Sequence, residues 1–307
     1  MKVLLCKPRG FCAGVERAID TVLKALKLWG APIYVKHEIV HNKHVVNDLK
    51  AKGAIFVEDL NDVPQGERII YSAHGVSPQV RDLAKKRNLI EIDATCGLVT
   101  KVHSAAKRYS KKGYQIVLIG HKNHVEVIGT AGEAPDATTI VESIDDISKL
   151  NFEADKKLFY ITQTTLSLDD VKGITDALKK KYPHIETLPS SSICYATTNR
   201  QLALQQITDS VDLVLVVGDP TSSNSNRLSE VAKNRSIPSY LINDQNEVNK
   251  NWFKNVKTIG MTAGASTPED VVQNCINRLK HLGVSEVEEI TYVNEDVLFQ
   301  LPKQVLI

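Results

Sequence analysis

The stretch KPRGFCAGVERAI, residues 7–19, places Cys12 in a turn that contains Gly10 and passes at once into helix-like sequence. Two more cysteines stand in the same setting. Cys96 leads into GLVTKVHSAAKRYSKKG and Cys194 into YATTNRQLALQQI, each with helix-period sequence. The three are 84 and 98 residues apart, about the size of a small α/β unit, so the chain reads as a threefold repeat.

The sequence downstream of each cysteine repeats as well. An apolar strand runs into a polar loop and a helix in APIYVKHEIVHNKHVVNDLKAKG, YQIVLIGHKNHVEVIGTAG and VDLVLVVGDPTSSNSNRLSEVAK. Their loops hold His41, His124 and Asn224, which lie 29, 28 and 30 residues beyond their own cysteines. A further strand, loop and helix come next in ERIIYSAHGVSPQVRDLAKK, KLFYITQTTLSLDDVKGITDALKK and VKTIGMTAGASTPEDVVQNCINRL, with Ser77, Ser167 and Thr267 as expected N-caps. Strands alternating with helices over short connections predict parallel sheets built from right-handed βαβ units. The expected architecture is three α/β domains, 1–95, 96–193 and 194–281, then a tail, 282–307, whose strand-like runs suit a closing strand.

In such sheets ligands bind beyond the carboxyl ends of the strands, where helix N-termini favour anions. Three units facing one another about an approximate threefold axis bring Cys12, Cys96 and Cys194 near one point, ringed by His41, His74, His124, Glu126, Thr164, Thr165, Asn224 and Ser266. Three cysteines without a fourth suit a 4Fe-4S cluster with one iron left open to substrate. Zinc competes, since HEIVH and HKNH offer closely spaced histidines, but structural zinc favours close CxxC-like pairs and the three cysteines form none. His41, His74 and His124, with Ser222, Ser223, Asn224 and Ser266, are neutral or switchable donors suited to a phosphate or diphosphate. Glu126 is the loop carboxylate placed to act as general acid. The remaining histidines, His37, His44, His103, His121, His184 and His281, read as ordinary residues, and Cys6 and Cys275 as small buried hydrophobes.

Hydrophobic residues at 42%, charged residues at 24% and a net charge of +2 fit a soluble globular protein and exclude a nucleic-acid-coating or disordered chain. The apolar run after Met1 is strand-like rather than a leader, and no run is long enough to span a membrane, so a cytoplasmic location is expected. Five cysteines in a reducing compartment then argue against a disulfide framework.

Taken in order over residues 1 to about 280, PRGFCAGVERAI, HEIVHNKHVV, SAHGVS, DATCGLVTKVH, GHKNHVEVIGT, TQTTLS, CYATTNRQ, SSNSNRL and TAGAS resemble the IspH/LytB family, reductases of 4-hydroxy-3-methylbut-2-enyl diphosphate (HMBPP). The resemblance implies a trefoil of three α/β domains around a central iron-sulfur cluster, one 4Fe-4S per subunit. It implies that Cys12, Cys96 and Cys194 ligate the cluster and that the fourth iron receives the substrate hydroxyl. His41, His74, His124, Ser222, Ser223, Asn224 and Ser266 would hold the diphosphate, and Thr164, Thr165 and Glu126 would serve the hydroxyl and proton delivery. The implied reaction is a two-electron, two-proton reductive dehydroxylation giving isopentenyl and dimethylallyl diphosphates, the last step of the methylerythritol phosphate (non-mevalonate) route, with electrons from ferredoxin or flavodoxin.

Three places depart from the family pattern. Gly97 and Val125 stand where proline is usual, and Asp219 with Pro220 precedes the diphosphate loop where a small or basic residue is expected. An acid there weakens anion binding unless it points away. The alternative enzyme is a redox-neutral iron-sulfur hydro-lyase, whose carboxylate substrates call for arginine clamps that these loops lack. The alternative outside enzymes is a non-catalytic anion-binding or zinc-stabilised protein.

Overall fold

Apolar runs such as LFYIT and LVLVV have no polar face to turn toward water, and a parallel sheet covered by helices on both sides is where such runs are stable. In the computed structural model, which describes residues 1–306, they are β8 (Leu158–Thr162) and β10 (Leu213–Val217), buried along their whole length. All strand pairings are parallel, and they form three sheets.

One sheet holds β2 (Ile33–Lys36), β3 (Ala54–Val57), β4 (Arg68–Tyr71) and β5 (Ile90–Asp93) in the order 3-2-4-5. The next repeats that order with β6 (Gln115–Ile119), β7 (Thr138–Val141), β8 and β9 (Glu186–Thr187), as 7-6-8-9. The last holds β1 (Lys2–Lys7), β10, β11 (Ser239–Ile242), β12 (Thr258–Ala263) and β13 (Glu286–Thr291), as 11-10-12-1-13. Helices connect the strands: α1 (Ala13–Trp29), α2 (Lys43–Ala51), α3 (Pro78–Lys86), α4 (Gly97–Lys111), α5 (Val125–Gly132), α6 (Ile144–Lys149), α7 (Leu168–Lys181), α8 (Tyr195–Ile207), α9 (Ser223–Lys233) and α10 (Glu269–His281).

The three parallel α/β sheets match the sequence reading, with one difference in membership. β1, placed by sequence with residues 1–95, lies in the sheet of the last third, between β12 and β13. The repeat explains this. Each cysteine follows the edge strand of a sheet already built: Cys96 follows β5 and Cys194 follows β9. Cys12 has no sheet before it, so its leading strand completes the last one, and β13, from the tail, pairs with the outer edge of β1 as a closing strand.

The chain divides into two compact units. The first comprises Met1–Glu16, His41–Asn47 and Tyr195–Leu298, and contains the five-stranded sheet; the second comprises Arg17–Val40, Asp48–Cys194 and the chain from Phe299 on, and contains both four-stranded sheets. The five-stranded sheet has an apolar core on each face, one including Val272 and Leu279 of α10, the other Leu204 of α8 and Leu228 of α9. Cys275 belongs to the first and Cys6 to the second, and burial pushes both thiols up to about 12, so they are inert hydrophobes as expected. Among the described residues no helix is long and apolar enough to cross a membrane.

Candidate active site

Each of the three repeat cysteines is the residue immediately before a helix: Cys12 before α1, Cys96 before α4 and Cys194 before α8. All three are partly exposed. Their backbone amides are held in one way. Cys12 N–H donates to the carbonyl of Ala265 at 3.3 Å, Cys96 N–H to Ala73 at 3.0 Å and Cys194 N–H to Thr164 at 3.0 Å. Ala265, Ala73 and Thr164 lie in TAGAS, SAHGVS and TQTTLS, the loops after β12, β4 and β8. Each cysteine is thus hung on the equivalent loop of the sheet its own leading strand completes.

In the first unit this places Cys12 next to the anion-binding candidates. Gly10, at φ 64°, turns the chain so closely against the last sheet that a Cβ would stand 3.1 Å from the carbonyl of Thr267. Ser266 Oγ donates to the carbonyl of His41 at 2.9 Å. Asn42 caps α2, accepting from His44 N–H at 3.0 Å, and so fixes the loop that carries His41. Ser222 caps α9, Ser223 is its first residue, and Asn224 is 4% exposed with neither Oδ1 nor Nδ2 hydrogen-bonded. A buried amide with nothing to bond costs about 1–3 kcal/mol unless a ligand completes it. Gly218 and Gly264 let α9 approach this closely, because a Cβ on either would overlap Ser225.

Asp219 sits here too, and its carboxylate is turned onto the protein. Oδ1 accepts from Thr221 N–H at 2.9 Å and from its hydroxyl at 2.7 Å, and Oδ2 accepts the Lys43 N–H at 3.0 Å. Burial pushes its pKa up, but those donors and the nearby His41 charge outweigh it and hold the group below the usual carboxylate value. The acid is therefore engaged in tying the His41 loop to the α9 loop.

The second unit links Cys96 to Cys194 through side chains. Next to Ala73, His74 Nδ1 lies 3.2 Å from Ser72 Oγ, and its ring meets that of His124 edge-on with centroids 6.2 Å apart. His124 caps α5, its Nδ1 accepting from Glu126 N–H at 3.2 Å, so the neutral ring carries its proton on Nε2. Val125 starts that helix without proline. Glu126 is 2% exposed; Oε1 accepts the Thr164 N–H at 2.6 Å and Oε2 the Thr164 hydroxyl at 3.0 Å. Burial raises the Glu126 pKa from 4.5 to about 7, against the lowering effect of both Thr164 hydrogen bonds. Thr165 Oγ1 accepts from Gln163 Nε2 at 3.0 Å.

The sequence singled out the cysteines, His41, His74, His124, Glu126, Thr164, Thr165, Ser222, Ser223, Asn224 and Ser266, but not what holds them. Arg200 and Gln163 went without a role, although Arg200 follows Cys194 within CYATTNRQ and is 0% exposed, and Asp219, read as a source of repulsion, is turned onto the protein. Ser77 is the N-cap residue of α3 without a side-chain cap bond, and Ser167 does cap α7 through Asp170 N–H. Thr267 is a correction: Pro268 is the N-cap of α10, and the Thr267 hydroxyl instead donates to the Val217 carbonyl at 3.0 Å. His103, read as ordinary, is a core residue paired with Glu133 at 3.3 Å.

A sequence profile of the LytB protein family matches residues 3–280. The chain is 72% identical to the 4-hydroxy-3-methylbut-2-enyl diphosphate reductase of Protochlamydia amoebophila, covering 100% of this chain and 98% of that one. It is 64% identical to the reductase of the same name from Chlamydia pneumoniae, over 99% and 98%. Among solved structures it superposes on the E-1-hydroxy-2-methyl-but-2-enyl-4-diphosphate reductase from Plasmodium falciparum with a TM-score of 0.97 and 53% identity, covering 99% and 96%.

Proposed function

The chain belongs to the LytB family, and on that footing we propose that it catalyses the reductive dehydroxylation of HMBPP to isopentenyl and dimethylallyl diphosphates, the terminal reaction of the non-mevalonate route. The observation that carries the reading is the Glu126 carboxyl, poised near pH 7 in a buried site and bonded to Thr164, whose carbonyl takes the Cys194 amide. Loss of a hydroxyl as water needs a proton at that oxygen, and Glu126 is a group able to hold one at neutral pH.

In this reading Cys12, Cys96 and Cys194 hold one 4Fe-4S cluster per subunit. The donor set fits: three thiols, each partly exposed at the head of a helix, where the helix dipole favours negative charge. When bound, such a cluster supplies low-potential electrons and a Lewis-acid iron, which side chains lack. His41, His74, His124, Ser222, Ser223, Asn224 and Ser266 hold the diphosphate, and the unpartnered Asn224 amide at the start of α9 supports an anionic or polar ligand there. Thr165 contacts the substrate hydroxyl, and Thr164 relays the proton of Glu126 to it. The catalytic thirds are 1–95, 96–193 and 194–281, with β1 lent to the last. Electrons come from ferredoxin or flavodoxin, and the protein works in the cytoplasm.

A redox-neutral hydro-lyase is not favoured. Arg9 and Arg200, the arginines beside Cys12, are taken up by Glu269 and Glu289 and by Glu295 with backbone carbonyls, so neither is available to clamp a carboxylate substrate. Anaerobic purification tests the proposal: a brown protein with about four irons and four sulfides per chain is expected, converting HMBPP to both products with reduced methyl viologen. A colourless protein with stoichiometric zinc, or dehydration without consumption of electrons, overturns it.

A further inference from the structure

Beyond β13 the chain runs on from residue 292 with no further sheet strand among the described residues, outside those that the family profile matches. It is nevertheless tied down beside two of the cysteines. In the first unit, Arg200 Nη1 lies 3.1 Å from Glu295 Oε1 and 3.2 Å from Oε2, and Asn199 Nδ2 donates to the same carboxylate at 3.0 Å. The fully buried Arg200 side chain then donates to the carbonyls of Gly10, at 2.8 Å, and Phe11, at 3.2 Å, the two residues ahead of Cys12. Val293, Glu295 and Val297 form part of the wall of a cavity of ≈ 450 Å³ that reaches Cys12.

In the second unit, one edge of the half-buried Phe299 ring lies against Gly97, the exposed residue after Cys96. A Cβ at Gly97 would stand 3.2 Å from Phe299 Cε1. Arg17 holds the same stretch, donating through Nε to the Gln300 carbonyl at 2.6 Å and through Nη1 to the Thr95 carbonyl at 3.0 Å, the residue before Cys96. Pro302 and Val305 are buried beyond it. The absence of a side chain at Gly97, one of the departures from the family pattern, is what leaves room for the ring.

We infer that the tail positions and covers the two cysteine turns: Glu295 fixes the Cys12 turn through Arg200, and Phe299 shields the start of α4 beside Cys96. Glu295, Arg200 and Phe299 are then positioning residues. Guanidinium bonds to two successive carbonyls leave the Cys12 turn little freedom, and an aromatic ring against Gly97 narrows the approach of solvent and dissolved oxygen to the neighbouring thiol, which is itself partly exposed. The inference rests on the cluster reading only for its purpose, since the contacts belong to the chain itself.

The test therefore begins on metal-free, reduced protein. Iodoacetamide alkylation is timed at Cys12, Cys96 and Cys194 separately by peptide mass spectrometry, with Cys194 as the internal reference. Phe299→Ala should speed alkylation of Cys96 over Cys194 by roughly 5-fold or more, and Glu295→Gln should do the same for Cys12. Phe299→Leu, which keeps an apolar cover, should restore most of the Cys96 protection, a recovery that general loosening of the fold would not give. Gly97→Ala, whose Cβ would stand 3.2 Å from Phe299 Cε1 and shift the ring slightly while leaving it in the chain, should expose Cys96 in the same direction to a smaller degree and serves if Phe299→Ala does not fold. In cluster-loaded protein the same variants should bleach faster in air at unchanged anaerobic iron content. Unaltered relative alkylation in both Phe299→Ala and Gly97→Ala overturns the inference. Altered alkylation in a chain that binds no iron upholds it while sinking the cluster reading.

Discussion

Glu126 shows how a single environment sets a proton's address. Its carboxyl accepts two hydrogen bonds from one residue, an arrangement that by itself lowers a pKa, yet full burial outweighs them and brings the group to about 7. The folded value lies above the unfolded 4.5, so folding takes up a proton between about pH 4.5 and 7. The associated stability is fully present below pH 4.5 and is lost as pH climbs to about 7, at about 1.4 kcal/mol per pH unit and about 3 kcal/mol in all. Glu126→Gln should remove that slope: in metal-free protein, denaturant midpoints measured at pH 5 and pH 8 should converge relative to wild type. Anaerobic turnover should fall by about 100- to 10,000-fold, and the loss of wild-type rate above about pH 7 should vanish from the variant's profile. An unchanged profile would assign the proton to another group. Asn224 predicts the opposite pairing of effects. Because its buried amide has no partner, Asn224→Ala should leave metal-free stability unchanged or higher while raising the KM for HMBPP by about 10- to 100-fold, as expected for lost hydrogen bonds to a charged group. A destabilised variant with normal KM would make Asn224 a structural residue.

At the level of elements, the diphosphate-loop helix depends on two glycines that sequence periodicity does not mark as special. Gly218 follows β10 and Gly264 follows β12, and α9 is drawn against both so that Ser225 fills the space a Cβ would take. Gly264→Ala should therefore push the α9 N-terminus outward, costing about 1–3 kcal/mol as an overpacked core does, with KM rising more than kcat falls. Equal stability and KM to wild type would show that the helix can yield without consequence. Most elements are legible in the sequence because the repeat states each strand-loop-helix twice in every third, and apolar runs with helical spacing after them leave little choice of type. The capping of α10 is not legible: Thr267 and Pro268 satisfy the same pattern as Ser77 and Pro78, and only the pull of the Val217 carbonyl on the Thr267 hydroxyl separates them. Asp219 is misleading for a similar reason. A carboxylate before an anion loop reads as repulsion, and only the fold brings the Lys43 N–H, 176 residues away, to meet it.

For the whole molecule, the least legible feature is which sheet the first strand joins. KVLLCK would be as well buried in any of three parallel sheets, and nothing local in six residues encodes a partner more than 250 positions away. The repeat supplies the rule once the sheets are known: every leading strand closes the sheet behind it, and the chain's first strand closes the last. The N-terminus is consequently held by the C-terminal region, with Ser285 N–H donating to the Met1 carbonyl at 3.0 Å and β13 covering the outer edge of β1. A chain ending at residue 284 tests that dependence. It would bare the whole edge of β1, a strand whose inner positions are buried, and would take Glu295 away from a guanidinium that is 0% exposed. Breaking one partner of a buried ion pair costs about 3–5 kcal/mol, and an unpaired apolar edge invites association between chains. The expected result is a thermal midpoint lower by roughly 10 °C or more, with light scattering that rises with concentration. Glu295→Ala in the full-length chain should reproduce most of the midpoint loss without the association, since β13 still covers β1. If the truncated chain melts like wild type and stays dispersed, the last strand is dispensable and closure of the remaining four-stranded sheet by β1 carries the fold.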